Sequence, residues 1–337
     1  MTPVRAIAPR THSYFTSQPR VSAIASVCLR AAGSVSTLVL ILFGGIAAQA
    51  TAEDGAGSGS SPFFSCERDY QGFSEFARSE ASIDLYHGLA FIGGAAGISL
   101  GGSPTRRWSE TNGFDTGIRD ELRLGSTSAR EDASLASDLG LVFSAALLPM
   151  ASIGMNFSRN HDCVETWDMF TDAVESFGLT LFVTEAVKLA TGRERPYTED
   201  CDAFPPRDAR CGSEDRHRSF FSGHASLAAA GAGLSCSYAI QRDAWGSSRT
   251  AKAAPCALGV VAAITTGALR LAADRHWTSD VFVGFAVGAV VGYFDTWGPL
   301  DLLKFTTRNS KGHISSRGII LPHAREGRLG AQLVMVF

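Results

Sequence analysis

Residues 219–226 read SFFSGHAS, and the run of alanine, glycine and leucine after them predicts a buried helix. Ser222 is a residue type that caps helix starts, and Gly223 lets a ligand approach the backbone closely. His224 is therefore expected at a helix N-terminus, where free N–H groups attract anions. An ordinary buried histidine fits the triplet equally well, so the rest of the chain has to decide.

Further apolar stretches at helical spacing surround this one. They lie at about 83–101, 136–155, 164–190, 223–241, 253–271 and 280–297. The connectors are polar, which predicts an all-α bundle of about six core helices. The C-terminal segment 306–337 is expected to form either a short β-hairpin around HAREGRLG or an extended tail.

Two groups of glycines recur every four residues, a spacing that places each group on one helix face and allows close backbone approach. These are Gly93, Gly97 and Gly101, then Gly284, Gly288 and Gly292. The connection at 103–132 is polar and mixed in charge. We expect it to face solvent, with one short helix at most.

The composition narrows the class of protein. Hydrophobic residues make up 45% of the 337 residues, charged residues 19%, and the formal net charge is −3. Such a chain is neither disordered nor a nucleic-acid binder, because it is not strongly basic. A helical soluble bundle and a polytopic membrane protein both remain open.

The N-terminal 50 residues resemble a secretory signal peptide. They contain four arginines and no acidic residue, then the apolar run STLVLILFGGIAA and a small-x-small AQA site. An uncleaved membrane anchor is the alternative, because the run is near the short limit for spanning. We expect a signal peptide at 1–50, an irregular segment at 51–82 and the helical domain at 83–305.

Six cysteines remain after Cys28 in the predicted leader, an even count that suggests disulfides in an exported chain. Local spacing favours Cys201–Cys211 and Cys236–Cys256, and elimination leaves Cys66–Cys163. Buried free thiols at 236 and 256 are the alternative. If the leader were cleaved and all six runs spanned a membrane, residues 191–221 would be cytoplasmic, where disulfides are rare. An exported bundle, soluble or on a membrane surface, is therefore preferred to an integral membrane protein.

Two further segments carry cations or an imidazole. In KLATGRERP, Lys188 lies in the last helical turn, and Arg195 follows seven residues later, just before a proline. Such a pair suits an oxyanion, although cations are common at helix C-termini. In LRLAADRHWTSD, Arg270 precedes His276, and Asp280 follows one helical turn later. The carboxylate could fix the imidazole tautomer, leaving the other nitrogen free to attack.

The ordered set K-x6-R-P, S-G-H and R-x5-H-x3-D resembles the signature of the type 2 phosphatidic acid phosphatase superfamily, which also includes bacterial class A acid phosphatases and vanadium haloperoxidases. Each motif is weak alone, but the ordered set over 188–280 is specific. Two positions depart from the usual pattern. Phe221 stands where the family commonly has proline, and Leu269 where it commonly has serine.

The resemblance implies hydrolysis of a phosphomonoester or pyrophosphate, and a lipid phosphate is among the substrates it allows. His276 would be the nucleophile that forms a phosphohistidine, Asp280 its orienting carboxylate, and His224 the acid and then the base. The phosphate-binding groups would be Lys188, Arg195, Arg270, Ser222 and Gly223. No metal or other cofactor is expected. A vanadate-dependent haloperoxidase and a non-catalytic phosphate-binding protein are the alternatives, and association with a membrane surface fits a lipid substrate.

Overall fold

The computed structural model describes residues 80–104, 107–202, 209–294, 304–308, 314–325 and 328–336. The predicted signal peptide and most of the irregular segment at 51–82 lie outside the described residues. The rest of this section concerns the described part alone.

The described chain is predominantly helical, as the apolar pattern predicted. Eight α-helices occur: α1 (Glu80–Gly101), α2 (Gly113–Leu122), α3 (Thr127–Val142), α4 (Leu148–Asn160), α5 (Cys163–Thr191), α6 (Gly223–Gln241), α7 (Arg249–Ala272) and α8 (Thr278–Phe294). A π-helical segment, Phe143–Leu147, joins α3 to α4 without a break. If α3 and α4 are counted as one continuous rod and the short α2 is left out, the described helices number six, as in the predicted bundle.

Helix α6 lies at the centre of the bundle, and most of its residues are buried. Its small side chains let neighbouring helices approach closely. A Cβ at Gly284 of α8 would lie 2.7 Å from the Ser222 carbonyl oxygen, and one at Gly288 would overlap that of Ser226. The predicted close approach is therefore present for the glycines of α8.

The glycines of α1 behave differently from those of α8. A Cβ at Gly93, Gly97 or Gly101 would meet nothing within 4 Å. The expectation of close packing on that face is wrong for the described chain. The close contact of α1 is made instead by Gly88, where an added Cβ would lie 2.6 Å from the Val174 backbone of α5.

The polar connection at 103–132 is not simply solvent-facing. Asp115 is fully buried in α2, and Arg119 and Arg130 are 8% and 6% exposed. Arg119 Nε donates to Asp274 at 2.7 Å, and Arg130 forms an ion pair with Asp200 at 3.4 Å. The polar composition of this connection predicted that its side chains are exposed. These charged side chains are buried instead, because each has an oppositely charged partner in another part of the chain.

Two of the expected disulfides are present. Cys201 pairs with Cys211 and Cys236 with Cys256, with Cα–Cα distances of 5.5 and 4.3 Å. Cys163 is also disulfide-bonded, whereas Cys66, its expected partner, lies outside the described residues.

The C-terminal region forms a three-stranded antiparallel sheet in the order β1-β2-β3, with β1 at Lys304–Arg308, β2 at Ile314–Arg325 and β3 at Arg328–Val336. The β2–β3 pair is the hairpin that the sequence allowed. The sheet has one strand more than expected.

Two helical stretches in the described part, Thr127–Asn160 and Arg249–Ala272, are long and apolar enough to cross a membrane by length and composition. Most of each stretch is not buried inside the protein. Large apolar side chains are exposed along α3, α7 and α8, among them Leu135, Leu139, Val261, Ile264, Phe282 and Val290. The bundle thus presents an apolar outer surface.

Candidate active site

His276 lies in the connection between α7 and α8 and is 3% exposed. Its Nδ1 lies 2.9 Å from the carbonyl oxygen of Ser219. A carbonyl only accepts hydrogen bonds, so Nδ1 carries the proton and Nε2 carries the lone pair. The ring is therefore held in the tautomer that a nucleophilic Nε2 requires.

Asp280 does not contact His276 as closely as expected. Its Oδ2 lies 3.6 Å from His276 Nδ1, but accepts hydrogen bonds from the Ser219 hydroxyl at 2.5 Å and the Trp277 N–H at 2.9 Å. The carboxylate therefore organises the backbone around His276 on both sides. It orients the imidazole largely through Ser219.

Arg193 neutralises Asp280 from the other side. Its guanidinium donates to Asp280 Oδ1 and to Asp115 Oδ2, each at 2.6 Å, and stacks 4.2 Å from the Trp108 ring centroid. All three charged side chains are almost fully buried. This pairing satisfies charges that would otherwise be costly to remove from water.

His224 is the second residue of α6, as predicted, and is more exposed than His276. Its side chain is 27% exposed, and its Nε2 lies 2.7 Å from Asp138 of α3. Asp138 also pairs with Arg270 at 3.3 Å. The site therefore opens to solvent on the His224 side.

The three expected cations meet around the histidines. Arg195 Nη1 lies 3.2 Å from His276 Nε2. Arg270 reaches the same site from α7, where Ser134 and Ser137 accept from its Nη1 at 3.2 and 3.0 Å. The structure thus brings together basic groups that are far apart in the sequence.

Lys188 closes the other side of this group. Its Nζ donates to Glu185 at 2.7 Å, and it lies close enough to Gly223 that a Cβ there would be 3.3 Å away. Gly223 therefore leaves room for a ligand between the helix start and the lysine. The Ser222 hydroxyl accepts from the Ala225 N–H at 3.4 Å, so it caps α6 while keeping its proton free to donate.

Burial and positive neighbours keep both histidines neutral in the free protein. Burial, then the charges of Arg195, Arg270 and Lys188, holds the pKa of His276 well below its usual value. The pKa of His224 falls to about 4, through burial first and Arg270 second, while Asp138 opposes the shift. A bound phosphate would reverse part of both shifts, because its negative charge favours the imidazolium.

The basic groups depress nearby carboxyl pKa values. Burial by itself would raise the pKa of Asp215, but Arg195 and Lys188 hold it below its usual value. Arg195 donates to the Asp215 carboxylate and to its carbonyl, each at 2.9 Å. These contacts fix the guanidinium before any ligand binds, a form of preorganisation.

Several residues of the site were not found from the sequence. Asp138, Glu185 and Ser219 carry no motif of their own. Arg193 was also missed, although a signal for it exists, because it lies two residues before Arg195 in the same basic segment. His217 is a further buried residue near the site: it is 2% exposed, and its Nε2 lies 2.6 Å from Arg107 Nη1.

Comparison with known proteins agrees with the motifs. The family model of the PAP2 superfamily matches residues 170–301, which contain all three motif segments. This part of the chain is therefore similar to the PAP2 superfamily. No curated protein matches the chain.

One solved structure that matches this chain is described as the first transmembrane PAP2 type phosphatidylglycerolphosphate phosphatase, from Bacillus subtilis. It is 21% identical, covers 66% of this chain and 98% of its own, and superposes with a TM-score of 0.42.

Proposed function

We propose that the protein hydrolyses a phosphate monoester through a phosphohistidine on His276. The observation that carries the proposal is the position of His276 Nε2. Its tautomer is set by the Ser219 carbonyl, and it faces Arg195 at 3.2 Å within a group of three cations. A binding protein would need the cations but not an imidazole held as a nucleophile.

The reaction proceeds in two displacements. His276 Nε2 attacks phosphorus in line, the bond from phosphorus to the ester oxygen breaks, and His224 donates a proton to the leaving oxygen. His224 then takes a proton from a water molecule, which attacks phosphorus and releases inorganic phosphate and His276. Lys188, Arg195 and Arg270 stabilise the charge on the equatorial oxygens in both steps.

The chemistry proposed here needs no metal ion at phosphorus. The carboxylates near the histidines each face a cation: Asp280 faces Arg193, Asp215 faces Arg195, Glu185 faces Lys188, and Asp138 faces Arg270. Divalent ions that act on phosphates are usually held by carboxylates. Positive side chains take that role in this site.

A lipid phosphate is the substrate class that the surface near His224 fits best. His224 donates the proton to the leaving oxygen, so the organic part of the ester lies on its side of the site. Leu135 and Leu139 flank Asp138 on α3 and are 60% and 65% exposed. Exposed leucines beside a charged site suit acyl chains that leave a membrane surface.

The test of the chemistry is phosphate release by the purified chain in EDTA, with His276→Ala and His276→Gln as variants. We expect release in EDTA, its loss in both variants, and an acid-labile, base-stable phosphoenzyme after rapid quench of the wild-type chain. The proposal is wrong if release needs a divalent ion or survives in both variants. It is also wrong if the chain releases no phosphate and instead oxidises bromide when vanadate is added.

The test of the substrate class compares phosphatidic acid in mixed micelles with p-nitrophenyl phosphate. Leu135→Ser combined with Leu139→Ser should lower kcat/KM for the lipid at least tenfold and leave the soluble ester within about twofold, because the leucines contact only the acyl chains. Leu258→Ser is the matched control, because Leu258 is exposed and lies in the middle of α7, 12 residues before Arg270. Equal losses on both substrates would contradict the lipid assignment.

We further infer that the domain is exported as a whole and associates with a membrane from one side. The Cys201–Cys211 bridge lies in the connection that enters α6, whereas Cys236–Cys256 lies near the opposite end of α6. Disulfides at both ends of the bundle are expected only where both ends meet oxidising conditions, which supports export of the whole domain. Peptide mapping of the protein from cells tests this inference. We expect both bridges, and free thiols at 236 and 256 beside an intact Cys201–Cys211 would instead indicate a chain that spans the membrane.

A further inference from the structure

A second polar group lies where α1 crosses α5, far from the histidines of the candidate active site. It contains Asp84 and His87 of α1 and Glu175 of α5. Glu175 precedes Lys188 by 13 residues on the same helix, which corresponds to about 20 Å along its axis. The proposed phosphatase reaction makes no use of this group.

The helix crossing forces these side chains together. A Cβ at Gly88 would lie 2.6 Å from the Val174 carbonyl, and one at Gly178 would overlap the Gly88 carbonyl oxygen. The two backbones are therefore in contact. As a result, His87 and Glu175 face one another with 1% and 4% of their surfaces exposed.

His87 has an unusual environment for a buried histidine. Its Nδ1 lies 3.0 Å from Glu175 Oε1, yet within the described chain neither ring nitrogen forms a hydrogen bond. Buried polar groups nearly always have a partner, and the lack of one is costly. His87 Nδ1 and Glu175 Oε1 are close together but do not form a hydrogen bond. Two ligand atoms of one metal ion have the same relationship.

The charge around His87 also favours a cation. Asp84 lies one helical turn before His87, and its carboxylate, an imidazole nitrogen and the Glu175 carboxylate all lie within 4.8 Å of one another. On α5, burial and the nearby carboxylates, Asp168 among them, raise the pKa of Asp172 to about 7, although Arg242 pairs with it at 3.6 Å. A bound cation would offset this repulsion.

We propose that Asp84, His87 and Glu175 bind a first-row divalent metal ion such as zinc. One imidazole and two carboxylates are a ligand set that zinc accepts, with bonds of about 2.0–2.2 Å and a fourth position left for water. The ion would fix α1 to α5 and stabilise the bundle without taking part in phosphoryl transfer.

Metal content of the full-length protein is the primary test. The chain is stripped with EDTA, incubated with zinc or with manganese, passed through a desalting column and assayed by mass spectrometry of the elements. We expect about one equivalent of zinc in the wild-type chain and a loss of at least tenfold in His87→Gln and in Glu175→Gln. His217→Gln is the matched control, because His217 is also buried and pairs with a glutamate, Glu194, at 3.4 Å.

Thermal unfolding gives a second readout that needs no variant. Zinc should raise the Tm of the EDTA-stripped wild-type chain in a concentration-dependent way, since an ion that binds the folded state stabilises it. Asp84→Asn, at a half-buried position, should weaken this shift and covers the case in which the other variants do not fold. The proposal is overturned if the wild-type chain takes up neither metal, or if the variants bind as much as the wild type. Neither readout depends on phosphatase activity.

Discussion

The carbonyl oxygen of Ser219 lies 2.9 Å from Nδ1 of His276, closer than the 3.6 Å between that nitrogen and the Asp280 carboxylate. The tautomer of the proposed nucleophile is therefore set by a backbone atom. The role of Asp280 is to hold that backbone in place, through the Ser219 hydroxyl and the Trp277 N–H.

This relationship predicts different effects for two substitutions. Ser219→Ala keeps the carbonyl, so kcat should stay within about tenfold of wild type, with a loss of roughly 1–3 kcal/mol in stability from the missing hydrogen bond to a buried carboxylate. Asp280→Asn loosens the whole segment, and the resulting displacement of His276 should lower kcat by about 10²-fold or more. Steady-state kinetics and urea unfolding measure both effects. Equal losses of kcat would mean that the hydroxyl, rather than the carbonyl, positions the ring.

Arg193→Lys should be strongly destabilising although it keeps the charge. A lysine pairs with one carboxylate as a point charge and cannot bridge Asp115 and Asp280, which leaves a buried carboxylate unpaired. We expect a loss of roughly 3–5 kcal/mol in the free energy of unfolding. Arg242→Lys, whose ion pairs are more exposed, should cost less than about 1 kcal/mol. Urea unfolding followed by circular dichroism separates the two, and similar losses would contradict this role of Arg193.

The pH profile of kcat/KM should report the protonation of His224 in the free enzyme. His224 must be protonated to donate, and its pKa is lowered to about 4, so kcat/KM should decline as pH rises from the acid side. Asp138 stabilises the imidazolium, so Asp138→Asn should lower this pKa further and move the declining limb to lower pH. Asp132→Asn removes an exposed charge from the same helix and should leave the limb in place. A limb that does not move in Asp138→Asn would show that another group titrates.

Gly288→Ala tests the contact between α6 and α8. The added methyl group would overlap the Ser226 carbonyl oxygen, so the helices must separate, at a cost of roughly 1–3 kcal/mol. Gly97→Ala is the matched control because a Cβ there meets nothing within 4 Å. It should be neutral or should stabilise the protein by up to about 1 kcal/mol through helix propensity. Thermal and urea unfolding of the two variants give the comparison, and equal effects would refute the close contact.

The sequence predicted what depends on local pattern. Apolar periodicity located the core helices, because a buried helix requires it along its whole length. The ordered motifs located His224 and His276. Spacing alone could not distinguish Gly288 from Gly97, since a period of four defines a face but not what packs against it.

The sequence did not predict contacts made by backbone atoms or contacts between residues that are far apart in the chain. The acceptor at Ser219 is a backbone carbonyl, which every residue type has, so no side-chain pattern predicts this contact. Asp138 and Asp115 each meet a partner more than 70 residues away. A polar composition at 103–132 suggested solvent exposure because burial of paired charges depends on partners elsewhere in the chain.

The π-helical segment Phe143–Leu147 sets the phase between two halves of one rod. Before it, Ser137 and Asp138 face Arg270, and after it, Ser152 is buried and accepts from the Trp245 indole N–H at 2.9 Å. A π turn takes up one more residue than an α turn, so if the same residues formed regular α-helix, one half would be rotated against the other by about 100°. Asp138 or Ser152 would then have to leave its partner. The contacts of both halves therefore depend on the wide turn at Phe143–Leu147, although Leu147 itself is exposed to solvent.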